Sequence, residues 1–415
     1  MGALVVGAAA AVAPYLGLAV ICWTAAAQRR KPPRRQPAIF WGVNPLINIK
    51  FHSRAVSLLG YESKTVVRDV YSINSRADFD YLMIDIVNRS ALMRRLPDYL
   101  KVPFQDYWTF VWALRRFDIF NFYFDSTILR NTPWKNIELQ LLKYAGKKTL
   151  FCAYGADVQV ISRFQNLLHK HAHSIEYAEH ARREHEVLQD IEYCSKHADY
   201  IIAGADWVYY LPRWDKLVAG HFAIDTEEWP PPPDAADAPA DADAQTGARP
   251  AVVLHAPNHR ELKGSRFLIR ACEELKAEGV PVELVLAERV SNARVRELMR
   301  DCDIVADQFV IGWYAQFAIE GMSMEKPVMT YLRPDLLELY TLYSYAGDCP
   351  IVNTPPTEIK RVLRELIDSP QLRRELGRKG RAYVSQNHSL ESAGRMFAEV
   401  FRGLWDDKCR HAGTS

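Results

Sequence analysis

The chain has 415 residues, 49% hydrophobic and 25% charged, with 52 basic against 50 acidic side chains and a formal net charge of +2. That length supports two domains with substantial cores, and the charge balance excludes nucleic-acid binding driven by a global basic charge. Seven scattered cysteines never form a C-x-x-C, which argues against a disulfide framework or a zinc ribbon and suits a reducing compartment.

From Gly2 to Gln28 no residue is charged, and the segment is mostly Ala, Val, Leu and Ile. About 20 apolar residues suffice to cross a bilayer. Pro14 and Gly17 interrupt the run in a way that membrane helices tolerate. The basic run Arg29-Arg30-Lys31-Pro32-Pro33-Arg34-Arg35 follows at once. Under the positive-inside rule this flank is cytoplasmic. Residues 1–37 are therefore expected to form a single-pass transmembrane anchor and basic linker, with the rest of the chain cytoplasmic. A cleaved signal peptide ending at Ala25-Ala26-Ala27 is the competing reading; it lacks a basic start, and its apolar stretch is too long.

Strands are expected at 38–43, 63–70, 80–86, 119–124, 148–152 and 200–203. Helices are expected between them, notably at 49–59, closed by Gly60, and at 136–144, closed by Gly146. The 89–117 segment mixes Arg94, Arg95, Lys101, Arg115 and Arg116 with Tyr107, Trp108, Phe110 and Trp112. It suits either an anionic membrane interface or a domain helix with a buried aromatic face. His169 and His173, four apart on one helix face, have metal-ligand spacing, but a solvated polar helix has the same pattern and no metal is expected. Residues 38–228 thus form a first β/α domain, closed by 221–225. The Pro/Ala/Asp-rich tract 229–250 cannot build a core and reads as a linker.

The alternation restarts in 251–388. Strands are expected at 251–255, 282–287, from 304, and at 327–331. Helices are expected at 265–278, 292–302, 316–324, 357–367 and 370–377. A C-terminal helix at 390–405 lies in the last unit, 389–415. Two signatures in this half carry chemistry. The first is His255-Ala256-Pro257-Asn258-His259-Arg260-Glu261-Leu262-Lys263-Gly264, a strand end and loop opening a helix. Arg260 and Lys263 supply cations where a phosphate would sit. The second is Glu320-Gly321-Met322-Ser323-Met324-Glu325-Lys326-Pro327-Val328, where Glu320 is placed to accept hydrogen bonds from vicinal ribose hydroxyls.

Together, Arg260, Lys263-Gly264, Glu320 and Lys326-Pro327-Val328 resemble the C-terminal domain of GT-B glycosyltransferases of the retaining group-1, family-four type. The resemblance implies an α/β fold of two Rossmann-like domains facing a cleft, with the last helix crossing back to the first domain. It implies that Arg260, Lys263 and Gly264 hold the donor diphosphate and that Glu320 holds the ribose. Gly312 stands where many members carry a glutamate that faces the donor sugar, with Asp307 and Gln308 as candidate substitutes; Glu325 stands where a glycine usually precedes Lys-Pro-Val. In the first domain, Asp157 is a candidate catalytic or sugar-contacting residue, with a helix N-cap as its competing role. The expected activity is retaining transfer from a nucleotide diphosphate-sugar to a membrane-associated, lipid-linked or cell-surface glycan acceptor, without a metal or other cofactor. The alternative is a non-catalytic GT-B-like binding subunit of a polysaccharide assembly complex.

Overall fold

In a computed structural model of the chain, residues 2–71, 74–232 and 249–412 are described. Most of the tract read as a linker, residues 233–248, lies outside them. The first sheet comprises β1 (Ile39–Val43), β2 (Ser63–Val67), β3 (Tyr81–Leu82), β4 (Ile119–Phe122), β5 (Lys148–Cys152), β6 (Tyr200–Ala203) and β7 (Lys216–Leu217). The second comprises β8 (Ala251–His255), β9 (Val282–Leu286), β10 (Ile304–Ala306), β11 (Val328–Thr330) and β12 (Val352–Asn353). Among the described residues the strand orders are β3-β2-β1-β4-β5-β6-β7 and β12-β11-β10-β8-β9. Neighbouring strands are parallel throughout, from Ile39 opposite Ser63 to Ala251 opposite Val282. The apolar runs that form these strands have both faces covered, as parallel sheets require.

Strand order reverses between β1 and β4 in the first sheet and between β8 and β10 in the second. Ligands bind in open α/β sheets at such switch points, beyond the strands' C-terminal ends. The fold therefore nominates the loops after β1 and β4, and those after β8 and β10, before any side chain is considered.

Helices Gly2–Arg29, Asp98–Arg116 and Glu138–Tyr144 cover one face of the first sheet, where Ile21, Phe110 and Leu142 share a core with Phe40 and Phe120. Helices Ile47–Ser57 and Leu390–Ala412 cover the other, packing Val56, Phe397, Phe401 and Trp405 around Trp41. The C-terminal helix thus lies on the N-terminal domain, and Trp405 Nε1 donates to the Arg34 carbonyl at 2.8 Å.

Two expectations are corrected. Among the described residues no helix is long and apolar enough to cross a membrane, so the transmembrane span is not supported. Instead, one side of the Gly2–Arg29 helix is spent on the first domain. Ala13, Ile21 and Ala25 are at most 1% exposed, and the Pro14 carbonyl accepts from Trp134 Nε1 at 2.8 Å. The run expected as a strand at 80–86 pairs only over Tyr81–Leu82 and then turns into the helix Met83–Asn88. Its apolar residues Met83, Ile86 and Val87 recur at spacings of three and four, so burial is satisfied by a helix face rather than by a sheet edge. The segment 221–225 is not a sheet strand; its only ladder contact is an isolated bridge from Ile224 to Ser389, where the C-terminal helix begins.

Phe401 is fully buried between the C-terminal helix and Trp41. Phe401→Ala is expected to cost about 3–5 kcal/mol by leaving a cavity. Urea unfolding checks this, the prediction being an earlier loss of first-domain signal than in the parent chain.

Candidate functional site

The second sheet's switch point is pinned by one histidine. His255, at the end of β8, is fully buried. Its Nδ1 lies 2.8 Å from the Ala306 carbonyl at the end of β10, and its Nε2 lies 2.8 Å from Ser265 Oγ at the start of helix Ser265–Ala277. A neutral ring that donates to the carbonyl and accepts from the hydroxyl satisfies both bonds. Burial pushes its pKa down to about 4, which keeps that neutral form.

Beyond this pin the two loops meet. Lys263 Nζ donates to Asp307 Oδ1 at 2.8 Å and to Gln308 Oε1 at 2.9 Å. The Asp307 side chain is completely buried and that of Lys263 is 13% exposed, so the ammonium is held at the cleft by a carboxylate behind it. Asp307 Oδ2 accepts from the Ala315 amide at 3.2 Å, which places the start of helix Gln316–Ser323. That helix carries Glu320. Glu320 is half-buried, and burial pushes its carboxyl up to about 8, while Arg296 and Lys263 pull the other way. Lys263, Asp307, Gln308 and Glu320 are therefore one electrostatic unit. Gly264 follows Lys263 in the left-handed region (φ 72°) and joins the short helix Arg260–Lys263 to Ser265–Ala277.

Arg260 stands at the rim, half exposed, with Nε and Nη2 on the Glu288 carboxylate at 2.7 and 2.6 Å. Lys326, which completes the Lys-Pro-Val match, points elsewhere: its Nζ donates to the Arg300 and Cys302 carbonyls at the end of helix Asn292–Asp301. Its role is a helix C-cap. Glu325 adopts φ 55°, a left-handed conformation that glycine takes without the Cβ penalty.

Gly312 is not simply a missing glutamate. Its φ is 97°, and a Cβ there would come within 2.4–2.5 Å of Arg333 Cγ and Cδ. The Arg333 backbone N–H also donates to the Gly312 carbonyl at 2.9 Å. The Arg333 guanidinium lies over the Tyr209 ring, 4.8 Å from its centroid, and pairs with Asp335 at 2.8 Å. A cation therefore borders the place where the resemblance puts a carboxylate. Sequence spacing marked the gap; the residue filling it comes from 21 positions downstream and carried no local signal.

The first domain contributes two features. Asp157 is 1% exposed, and its oxygens accept from the backbone amides of Phe124, Tyr154 and Gly155 at 3.2, 3.0 and 2.9 Å. Burial and then Asp125 push its pKa up to about 8. Asp157 braces the loops after β4 and β5 rather than capping a helix, and it lines a cavity of about 140 Å³ with Asp125, Arg130, Tyr154 and His180. Asp125 is the less buried of the two carboxylates and accepts from Tyr154 Oη at 2.7 Å. It borders a pocket of about 260 Å³ at the β1/β4 switch point, with Asn44, Arg68, Asp69, Tyr71 and Arg130.

The two domains touch across the cleft at the cation loop. Glu176, ending helix Leu167–Glu176, accepts from the Glu261 amide at 2.9 Å, and Tyr177 Oη lies 2.6 Å from His259 Nε2. The paired histidines fall on this contact: His173 Nε2 lies 3.0 Å from His180 Nδ1, and burial lowers the pKa of both. Among the described residues no group of three or more His, Cys, Asp or Glu is arranged to hold a metal ion.

No protein-family model matches the chain, and no curated protein matches it in sequence. Solved structures match its fold. Sucrose-phosphate synthase from Thermosynechococcus elongatus aligns with 90% of this chain and 100% of its own, at 12% identity and a TM-score of 0.59. A glycosyltransferase from Rickettsia africae ESF-5 aligns with 89% of this chain and 99% of its own, at 13% identity and a TM-score of 0.49. The first of these shows a shared fold, the GT-B arrangement of two parallel α/β domains.

Gly312→Ala is expected to lose at least about 2 kcal/mol, from the positive φ and the Arg333 clash together. In an Arg333→Ala background the same change is expected to cost less, because only the backbone term remains. A thermal-denaturation double-mutant cycle checks this; strictly additive losses contradict the packing account.

Proposed function

We propose that the chain is a glycosyltransferase that moves a sugar from a nucleotide diphosphate-sugar to a glycan or lipid-linked acceptor, with retention of configuration. The observation that carries this reading is that Lys263 and Glu320 lie within electrostatic reach of one another at the second sheet's switch point. A nucleoside diphosphate needs a cation for its phosphates and a hydrogen-bond acceptor for its ribose, and these two residues supply them.

In this reading Lys263 and Arg260 stabilise the charge that grows on the departing diphosphate as the glycosidic bond breaks. Glu320 accepts from the ribose hydroxyls. Arg333 and Gln308 border the donor sugar, and the acceptor hydroxyl approaches from the Asp125 side. The Glu176–Glu261 and Tyr177–His259 contacts hold the domains together over the loop, which excludes water that would otherwise hydrolyse the donor.

Two variants test the donor site. Isothermal titration with UDP and GDP is expected to show at least tenfold weaker binding for Lys263→Ala, about 1.4 kcal/mol or more. That change also strands the buried Asp307, so the exposed Arg260→Ala is the arm independent of folding, and it is expected to weaken the same ligand. Unchanged affinity in both overturns the reading.

Glu320 gives a pH signature. Its raised pKa means the free protein is largely protonated there at neutral pH. Ribose hydroxyls donate to the ionised form, so binding releases a proton and tightens as pH rises from about 6.5 to 8.5. Titration in buffers of different ionisation enthalpy is expected to show that release, and Glu320→Gln is expected to abolish it.

A further inference from the structure

We propose that the outward face of helix Gly2–Arg29, together with the groove beside it, docks in the plane of an anionic lipid bilayer. Val12, Leu16, Val20 and Trp23 recur at spacings of three and four, so they share one helix face, and Tyr15 adjoins it. They are 48–71% exposed, whereas Ala13, Ile21 and Ala25 on the other side are buried in the first domain. Surface helices of globular proteins carry polar residues outward. This one has no charged residue from Gly2 to Gln28, and over the described side chains from Val12 to Gln28 one apolar side is covered by protein while the other is exposed.

The uncovered side continues into a groove of about 770 Å³ against helix Asp98–Arg116, lined by Leu16, Val20, Phe104, Trp108, Val111 and Trp112. The patch has a basic border. Both helices end at the same edge of the first sheet, where they lead into β1 and β4. There Arg29, Arg30, Lys31, Arg34, Arg35 and Arg115 are exposed. The acidic residue among them, Glu62, is bridged by Arg34 and Arg116. An apolar stripe with indole and phenol rings, edged by arginines, matches the acyl boundary and phosphate layer of an anionic membrane. Because the helix's inner face is packed against the domain, the contact lies along the membrane surface rather than through it. The inference is independent of the nucleotide-sugar reading, since vesicle binding needs no donor.

The test is flotation of the full-length chain with vesicles of phosphatidylcholine alone or mixed with phosphatidylglycerol, at low and high salt. The parent chain is expected to bind the anionic vesicles at least about tenfold more tightly than the neutral ones, with the preference shrinking in salt. Val20→Glu/Trp23→Glu is expected to lose binding to both. Arg30→Glu/Arg35→Glu is expected to lose only the anionic preference. These side chains are exposed, and circular dichroism checks that the variants keep the parent's fold. The proposal is overturned if the parent floats with neither vesicle, or if Val20→Glu/Trp23→Glu floats like the parent. It is equally overturned if light scattering shows a parent dimer that this double variant splits while lipid binding is absent, since the face would then meet a second copy of the chain.

Discussion

The second domain's switch point depends on one ion pair. Asp307 has no solvent contact through its side chain, and Lys263 has little. Breaking such a pair by removing one partner typically costs about 3–5 kcal/mol, because the other charge stays buried. The pair is nonetheless kept at a surface that opens onto a cleft. One oxygen of Asp307 holds the ammonium and the other holds the Ala315 amide, so the cation's position and the start of the Glu320 helix are set by the same carboxylate. His255 fixes the two strand ends from below. The geometry between Lys263 and the Glu320 helix is thus built into the fold.

The cation loop is also where the domains meet. Glu176 of the first domain takes the Glu261 amide, and Tyr177 meets His259, on the stretch that carries Arg260 and Lys263. Asn166 Nδ2 donates to the Val310 carbonyl on the neighbouring loop at 2.7 Å. The contacts between the domains therefore fall on the same few residues as the proposed phosphate site. Each sheet is parallel and opens at its own switch point.

Much of this was legible in the sequence, for a physical reason. Parallel strands buried on both faces read as short apolar runs, and Gly60, Gly146 and Gly264 punctuate the helices, so the β/α order follows from pattern alone. Arg260, Lys263 and Glu320 could be nominated because their spacing relative to strand ends is local; the structure puts Lys263 and Glu320 within electrostatic reach and pairs Arg260 with Glu288. What was not legible required the third dimension. An uncharged N-terminal helix reads the same whether lipid or protein covers it, and here Trp134, Ile21 and Ala25 show protein on one side. Asp157 lies in the loop after β5, and its acceptance of three backbone amide bonds depends on chain segments brought together in space. Arg333 fills the space beside Gly312 from a different loop, and Asp125 was passed over because a single aspartate after a strand has no distinctive spacing.

The central claim is that Lys263 and Glu320 form the two ends of a nucleoside diphosphate site. The most direct measurement is a crystal structure of the chain soaked with UDP or GDP. The account predicts diphosphate oxygens at hydrogen-bonding distance, about 3 Å, from Lys263 Nζ and ribose hydroxyls on the Glu320 carboxylate. Nucleotide bound in the Asp125 pocket instead, with the Lys263–Glu320 cleft left unoccupied, would contradict it.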